Sequence, residues 1–211
     1  IKVMYRKITI AVIFAILSAG FFLWLYLPPL QKGEVDNAFI SQPIENFRLP
    51  DHLGGSHELS YYRYLDLIVV MVQGNGCPIV RNLVGDFNQM VRAFESQNIK
   101  FFMMNANRQD SLLEIKAEAE EWEISVPILR DRSQIIARSL EFTRTAEILL
   151  IDPKQSEIVY RGPLNDRLNY EFQRSEADKN YLFDAIQNFK AGKTIPVSYT
   201  HLRAHETTVS L

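Results

Sequence analysis

An α/β domain with a central mixed sheet flanked by helices is the fold class this 211-residue sequence predicts. Three observations carry it. Leu67 to Val72 is apolar at every position, as a strand covered on both faces should be. After a Gly74-Asn75-Gly76 turn, Val80, Leu83, Val84, Phe87, Val91 and Phe94 recur at the spacing of an amphipathic helix. Beyond them, strand and helix patterns keep alternating to Ala191, which implies helices on both faces of one sheet.

At the N-terminal end, Ile8 to Leu27 carries no charge over about 20 residues, enough to cross a bilayer core as a helix. Lys2, Arg6 and Lys7 precede this segment, while Lys32, Glu34 and Asp36 follow it. The positive-inside bias therefore orients the rest of the chain outward. Small residues Ser18-Ala19-Gly20 offer the competing reading of a cleaved signal peptide, but the apolar run continues through Phe21 to Leu27. The expectation is a membrane anchor at 1–30, a tether at 31–43 and a folded domain at 44–196. The protein would be single-pass in an inner membrane, its domain on the periplasmic or extracytoplasmic side.

Within the domain, Phe47 to Leu59 predicts two short extended pieces around a Gly54-Gly55 turn, with His52 and His57 on a solvated hairpin. The helix after the turn starts at Pro78, whose missing N–H is not needed at a first helical position. Ile99 to Asn105 is the next strand. Ser111 and Glu114 form a capping-box signature for a helix running to Trp122, whose acidic outer face reads as solvated surface. Val126 to Leu129 reads as a short strand, Ser133 to Leu140 as a short helix and Ala146 to Ile151 as a strand. Turn residues Asp152 to Gln155 follow, then an antiparallel partner at Glu157 to Arg161. A last helix spans about Asp178 to Ala191 and ends at Gly192. Tyr160 to Arg167 includes a polar cluster that suits a rim or partner surface and equally a plain strand exit and turn, and Met71, Met103 and Met104 read as core.

Val197 to Leu211 breaks with this pattern, and VSYTHLRAHET resembles a translated sequencing adapter. His201 and His205 are accordingly kept out of any site argument.

Cys77 is the one cysteine of the sequence, so no intrachain disulfide and no cysteine-based zinc site is expected, nor any metal or cofactor. Its place at a strand-to-helix turn sets the sulfur near the unpaired N–H groups of the helix start, which favour thiolate. The competing reading is a small buried apolar residue. A formal charge of −2 and the lack of a basic, aromatic-rich block argue against nucleic acid.

Phe47-Arg48-Leu49-Pro50-Asp51, Gly74-Asn75-Gly76-Cys77-Pro78 and Thr145 to Asp152, in this order and spacing, resemble the thioredoxin-like superfamily. The closer likeness is to its redoxin branch, which includes the peroxiredoxins, over Ile44 to Ile195. The resemblance implies a thioredoxin-like fold with Cys77 as catalytic thiol. It also implies Gly76, Pro78, Asn75, Thr145 and Ala146 on the substrate side, and Arg81 and Arg144 as candidates to stabilise the thiolate. Three departures stand out. Val80 occupies the second position of a Cys-x-x-Cys pair, removing the intramolecular resolving step. Gly74 stands where peroxiredoxins carry threonine, leaving Asn75 or Gln73 to supply hydrogen bonds. Ala146 stands where the superfamily places a cis-proline, so a trans peptide is expected. Some redoxins carry a second cysteine near the C-terminus, where the adapter-like segment begins here.

The expected function is thiol-based redox chemistry on a peroxide or disulfide substrate, foremost peroxide reduction through a sulfenic acid with an external thiol reductant. The membrane contact would run through residues 8–27. The alternative is a non-catalytic thioredoxin-like module that binds a partner protein or assists assembly of a membrane complex.

Overall fold

The computed structural model describes residues 41–168 and 174–196. The anchor segment 8–27, most of the tether and the segment 197–211 lie outside the described residues. Among the described residues, no helix is long and apolar enough to cross a membrane.

Within the described residues, eight strands and four α-helices follow one another. β1 (Gln42–Pro43) forms where the tether was expected to end. β2 (Arg48–Pro50) and β3 (Ser56–Glu58) make the hairpin, and a 3-10 turn (Leu59–Tyr62) leads to β4 (Leu67–Gln73). Then come α1 (Pro78–Ala93), β5 (Ile99–Asn105), α2 (Leu112–Glu121), β6 (Ile128–Arg130), α3 (Ile135–Ser139), β7 (Ile148–Asp152), β8 (Glu157–Gly162) and α4 (Tyr181–Lys190).

The main sheet has the order β1-β8-β7-β4-β5-β6. β4, β5 and β6 are parallel, while β7 and β8 run antiparallel beside β4. All seven β4 residues are buried, the apolar run Leu67 to Val72 and the polar Gln73 at its end, as the strand's central place requires. Leu67, Val69 and Met71 face one core, and Ile68, Val70 and Val72 the other.

Both crossovers, β4-α1-β5 and β5-α2-β6, step the same way across the sheet, so right-handed connection places α1 and α2 on one face. α4 joins them there through Leu182, Ala185 and Ile186. The other face is covered by Ala137 and Leu140 around α3 and by Leu49 and Leu59 from the hairpin side. Helices do lie on both faces, but the three longer ones share one. Met71, Met103 and Met104 are all fully buried, as core.

The hairpin is not the solvated turn expected from its histidines. His52 is buried, its Nδ1 accepting from the Ile128 N–H at 3.0 Å, and His57 Nε2 lies 2.8 Å from Asp51 Oδ2. The His52 bond ties the hairpin to β6, the His57–Asp51 contact closes the hairpin on itself, and a bridge from Asp51 to Leu129 completes the seam.

Ser111 caps α2 through the expected reciprocal pair: its hydroxyl accepts from the Glu114 N–H at 3.2 Å, and its own N–H donates to Glu114 Oε2 at 2.8 Å. Ser111→Ala is expected to lower stability by about 1 kcal/mol, and Ser111→Asp to recover most of it. Urea midpoints check this; an unchanged midpoint for the alanine variant would show the cap to be idle.

Candidate active site

Cys77 is the N-cap of α1. Its backbone is extended (φ −71°, ψ 112°), Pro78 takes the first helical position, and the Cys77 carbonyl accepts the first helical bond from the Arg81 N–H at 3.0 Å. The side chain makes no capping hydrogen bond and is half-buried. Gly76 enables the approach, because its φ of +73° is a left-handed conformation that glycine adopts without strain.

Thr145 Oγ1 lies 3.1 Å from Cys77 Sγ, a contact between residues 68 positions apart. The strand predicted to begin at Ala146 begins instead at Ile148, because Ala146 has φ +63° and leaves the extended form. No cis peptide occurs among the described residues, so the bond before Ala146 is trans. Pairing with β4 nevertheless continues through the Ala146 N–H to Val72 O (2.8 Å) and the Val72 N–H to Glu147 O (2.9 Å). These bonds hold Thr145 over the end of β4.

Gly74 sits directly beneath. A Cβ there would lie 3.0 Å from Asn107 Nδ2 and 3.4 Å from Thr145 Cγ2. A hydroxyl thus reaches the sulfur from the loop before β7, and the glycine leaves room for it.

The remaining candidates are placed differently. Asn75 Oδ1 and Gln73 belong to a polar network rather than to the sulfur. Gln73 Nε2 donates to Asn75 Oδ1 (3.0 Å) and Glu118 Oε1 (2.7 Å), and Gln73 Oε1 accepts from Asn105 Nδ2 (2.8 Å). Asp110 Oδ2 takes the Asn75 N–H at 3.0 Å, and Glu118 Oε2 takes the Gly76 N–H at 2.5 Å. Arg81 extends to Glu121 (3.5 Å) and over the Trp122 ring, with most of its side chain exposed. Arg144 is half-buried, and its charge acts on Glu147.

Glu118 is the group that sequence reasoning misplaced on a solvated face. Partial burial raises its carboxyl from its ordinary value, helped by nearby Asp110 and Glu121 and opposed by the bonds from Gly76 and Gln73. A signal was present: Ile115, Glu118, Ala119 and Trp122 share the spacing of one helical stripe.

Arg161 falls at the strand exit rather than on an exposed rim: it lies in β8, is buried and sits 3.6 Å from Glu147 Oε2. Desolvation raises the Glu147 carboxyl above its ordinary value, opposed by Arg161, the Thr143 N–H and Arg144. The folded state therefore holds this proton to higher pH than the unfolded chain, and folding loses stability as pH rises from about 4 through the raised value. Glu147→Gln is expected to flatten that slope. Urea midpoints across the same pH range test it; an equal slope in both proteins would contradict the assignment.

An open groove of about 540 Å³ runs beside the turn, lined by Asn75, Gly76, Asp110, Glu114 and Glu118 among others. Among the described residues, no group of three or more His, Cys, Asp or Glu is arranged to hold a metal ion.

The chain is similar in structure to a hypothetical protein from Sinorhizobium meliloti (TM-score 0.65, 21% identity, covering 75% of this chain and 90% of that one). A peroxidoxin from Mycobacterium tuberculosis superposes with TM-score 0.54 at 14% identity, covering 73% and 97%. The thioredoxin domain of a thiol-disulfide oxidoreductase from Bacteroides vulgatus does so with TM-score 0.53 at 16% identity, covering 70% and 95%. These likenesses show a thioredoxin-like fold. No curated protein matches the chain. Residues 40–161, more than half of the sequence, match the AhpC/TSA family, and with Cys77 at the head of α1 the chain belongs to that family.

Proposed function

We propose that this redoxin reduces peroxides through Cys77, from a domain anchored by residues 8–27 at the extracytoplasmic face of a membrane. The observation that supports it is the 3.1 Å contact of Thr145 Oγ1 with Cys77 Sγ at a half-exposed helix start. A hydroxyl there can hydrogen-bond the thiolate and then the peroxide oxygen that replaces it as the nearest acceptor. The family and the neighbouring peroxidoxin and thiol-disulfide oxidoreductase folds support thiol chemistry in general.

The Cys77 thiolate attacks one peroxide oxygen. The O–O bond breaks, the sulfur is oxidised to sulfenic acid, and the other oxygen leaves as alkoxide or hydroxide and takes a proton to become alcohol or water. An external thiol condenses with the sulfenic acid, releasing water and forming a mixed disulfide. A second thiol attacks that disulfide, regenerating Cys77 and leaving the oxidised reductant. With Val80 at the fourth position of the turn motif, both thiols come from outside this site.

Trapping tests the reading. Hydrogen peroxide followed by a sulfenic-acid-selective dione is expected to label Cys77 stoichiometrically, as read by mass spectrometry. A thiol that stays unlabelled while iodoacetamide still alkylates it would rule peroxide reduction out.

A further inference from the structure

We propose that the buried Glu147–Arg161 pair is a positioning device that fixes Thr145 over the Cys77 sulfur. The inference rests on Cys77 being the working thiol.

Arg161 lies on β8 opposite Leu149 of β7. Its guanidinium donates to Leu140 O at 2.6 Å and to Glu141 O at 3.2 Å, with Glu147 Oε2 3.6 Å away. The same Glu147 oxygen accepts from the Thr143 N–H at 3.3 Å. One charge pair thus grips the loop from Leu140 to Glu147 at 140, 141, 143 and 147, leaving Thr145 between the last two. Both partners are nearly closed to water, at 8% and 3% side-chain exposure.

That arrangement is costly as a source of stability alone. Desolvating two charges takes several kcal/mol per ion, and apolar side chains of similar volume serve a core equally well. The loop supplies the reason to keep it. Glu141 (φ +54°) and Ala146 (φ +63°) both hold left-handed conformations without being glycine. Such residues persist only where their surroundings over-determine them. Arginine suits the task because its planar fork reaches two successive carbonyls at once, which lysine's single ammonium does not.

The test compares Arg161→Lys, Glu147→Gln and Thr145→Val, alone and with each of the first two combined with the third. Iodoacetamide alkylation and peroxide oxidation of Cys77 are measured in protein shown folded by its urea transition. Removing the Thr145 hydroxyl is expected to slow alkylation about three- to tenfold, the kinetic equivalent of one hydrogen bond. Peroxide oxidation is expected to slow by about ten- to a hundredfold, since small misplacements cost that much. Arg161→Lys and Glu147→Gln should each approach these losses and add nothing in the Thr145→Val background, the mark of a shared route. Losses that multiply, or folded variants with wild-type rates, would overturn the proposal. Should the wild type alkylate but resist peroxide, the peroxidase reading fails, and the alkylation rates alone still decide the positioning role.

Discussion

Cys77→Ser is expected to abolish thiol-dependent peroxide consumption, by at least about a thousandfold, while making the domain more stable. The first effect follows from chemistry. A serine hydroxyl is hardly ionised near neutral pH, and its oxygen has no counterpart of the sulfenic state that carries turnover. The second follows from position 77 being the N-cap of α1, where cysteine makes no capping hydrogen bond. Serine is among the residues that cap best, accepting from N–H groups of the first turn, so a gain of about 0.5–1 kcal/mol is expected. Opposite changes in activity and urea midpoint separate lost chemistry from lost folding. Peroxide consumption surviving in Cys77→Ser would remove the sulfur from the mechanism altogether. A large fall in midpoint would instead show that the cysteine serves the core.

The site also shows how a hydroxyl can reach the sulfur from far along the chain. The sequence lacks threonine at position 74, and that absence weakens the peroxiredoxin likeness when the motif is read linearly. In the fold, Thr145 brings a hydroxyl to 3.1 Å from the sulfur across 68 residues, and Gly74 gives it space. Thr145 and Gly74 thus belong to one feature that no local motif encodes.

What the residues disclosed in advance follows the same division. β4 and β5 were legible because unbroken apolar runs of strand length have few other uses, and the Ser111–Glu114 cap because its two bonds lie three residues apart. The β7 boundary was misjudged by two residues, since nothing local tells that Ala146 adopts a positive φ. Carboxylates were the least legible. Glu118 looks on paper like its neighbours Glu120 and Glu121, yet its carboxylate receives the Gly76 N–H and the Gln73 amide. Only tertiary placement distinguishes a solvated carboxylate from one that holds a turn. Glu147 and Arg161 illustrate the point more strongly, because their pairing depends on the register of β7 with β8.

Phe87→Ala is expected to have the largest effect on stability, and the reason joins the core to the site. Phe87 is fully buried midway along α1, its ring meeting Phe101 of β5 edge-to-face at 5.8 Å between centroids. It belongs to the cluster that unites α1, α2 and α4 with Leu67, Val69 and Met71 of β4. Truncation removes the apolar transfer energy of the ring and leaves a cavity that these elements cannot close without moving, a loss of about 3–5 kcal/mol. Domains of this size have roughly 5–15 kcal/mol in total, so the variant would sit near the edge of folding. Phe87→Leu should lose clearly less, because it keeps most of the volume. Since Cys77 is the N-cap of α1, loosening the helix's anchor also loosens the sulfur. Urea midpoints and Cys77 alkylation rates should therefore change together across the Phe87 series. A midpoint shift worth less than about 1 kcal/mol for the alanine variant would mean that α1 is not held by this cluster. The rigid presentation of Cys77 to Thr145 would then need another source.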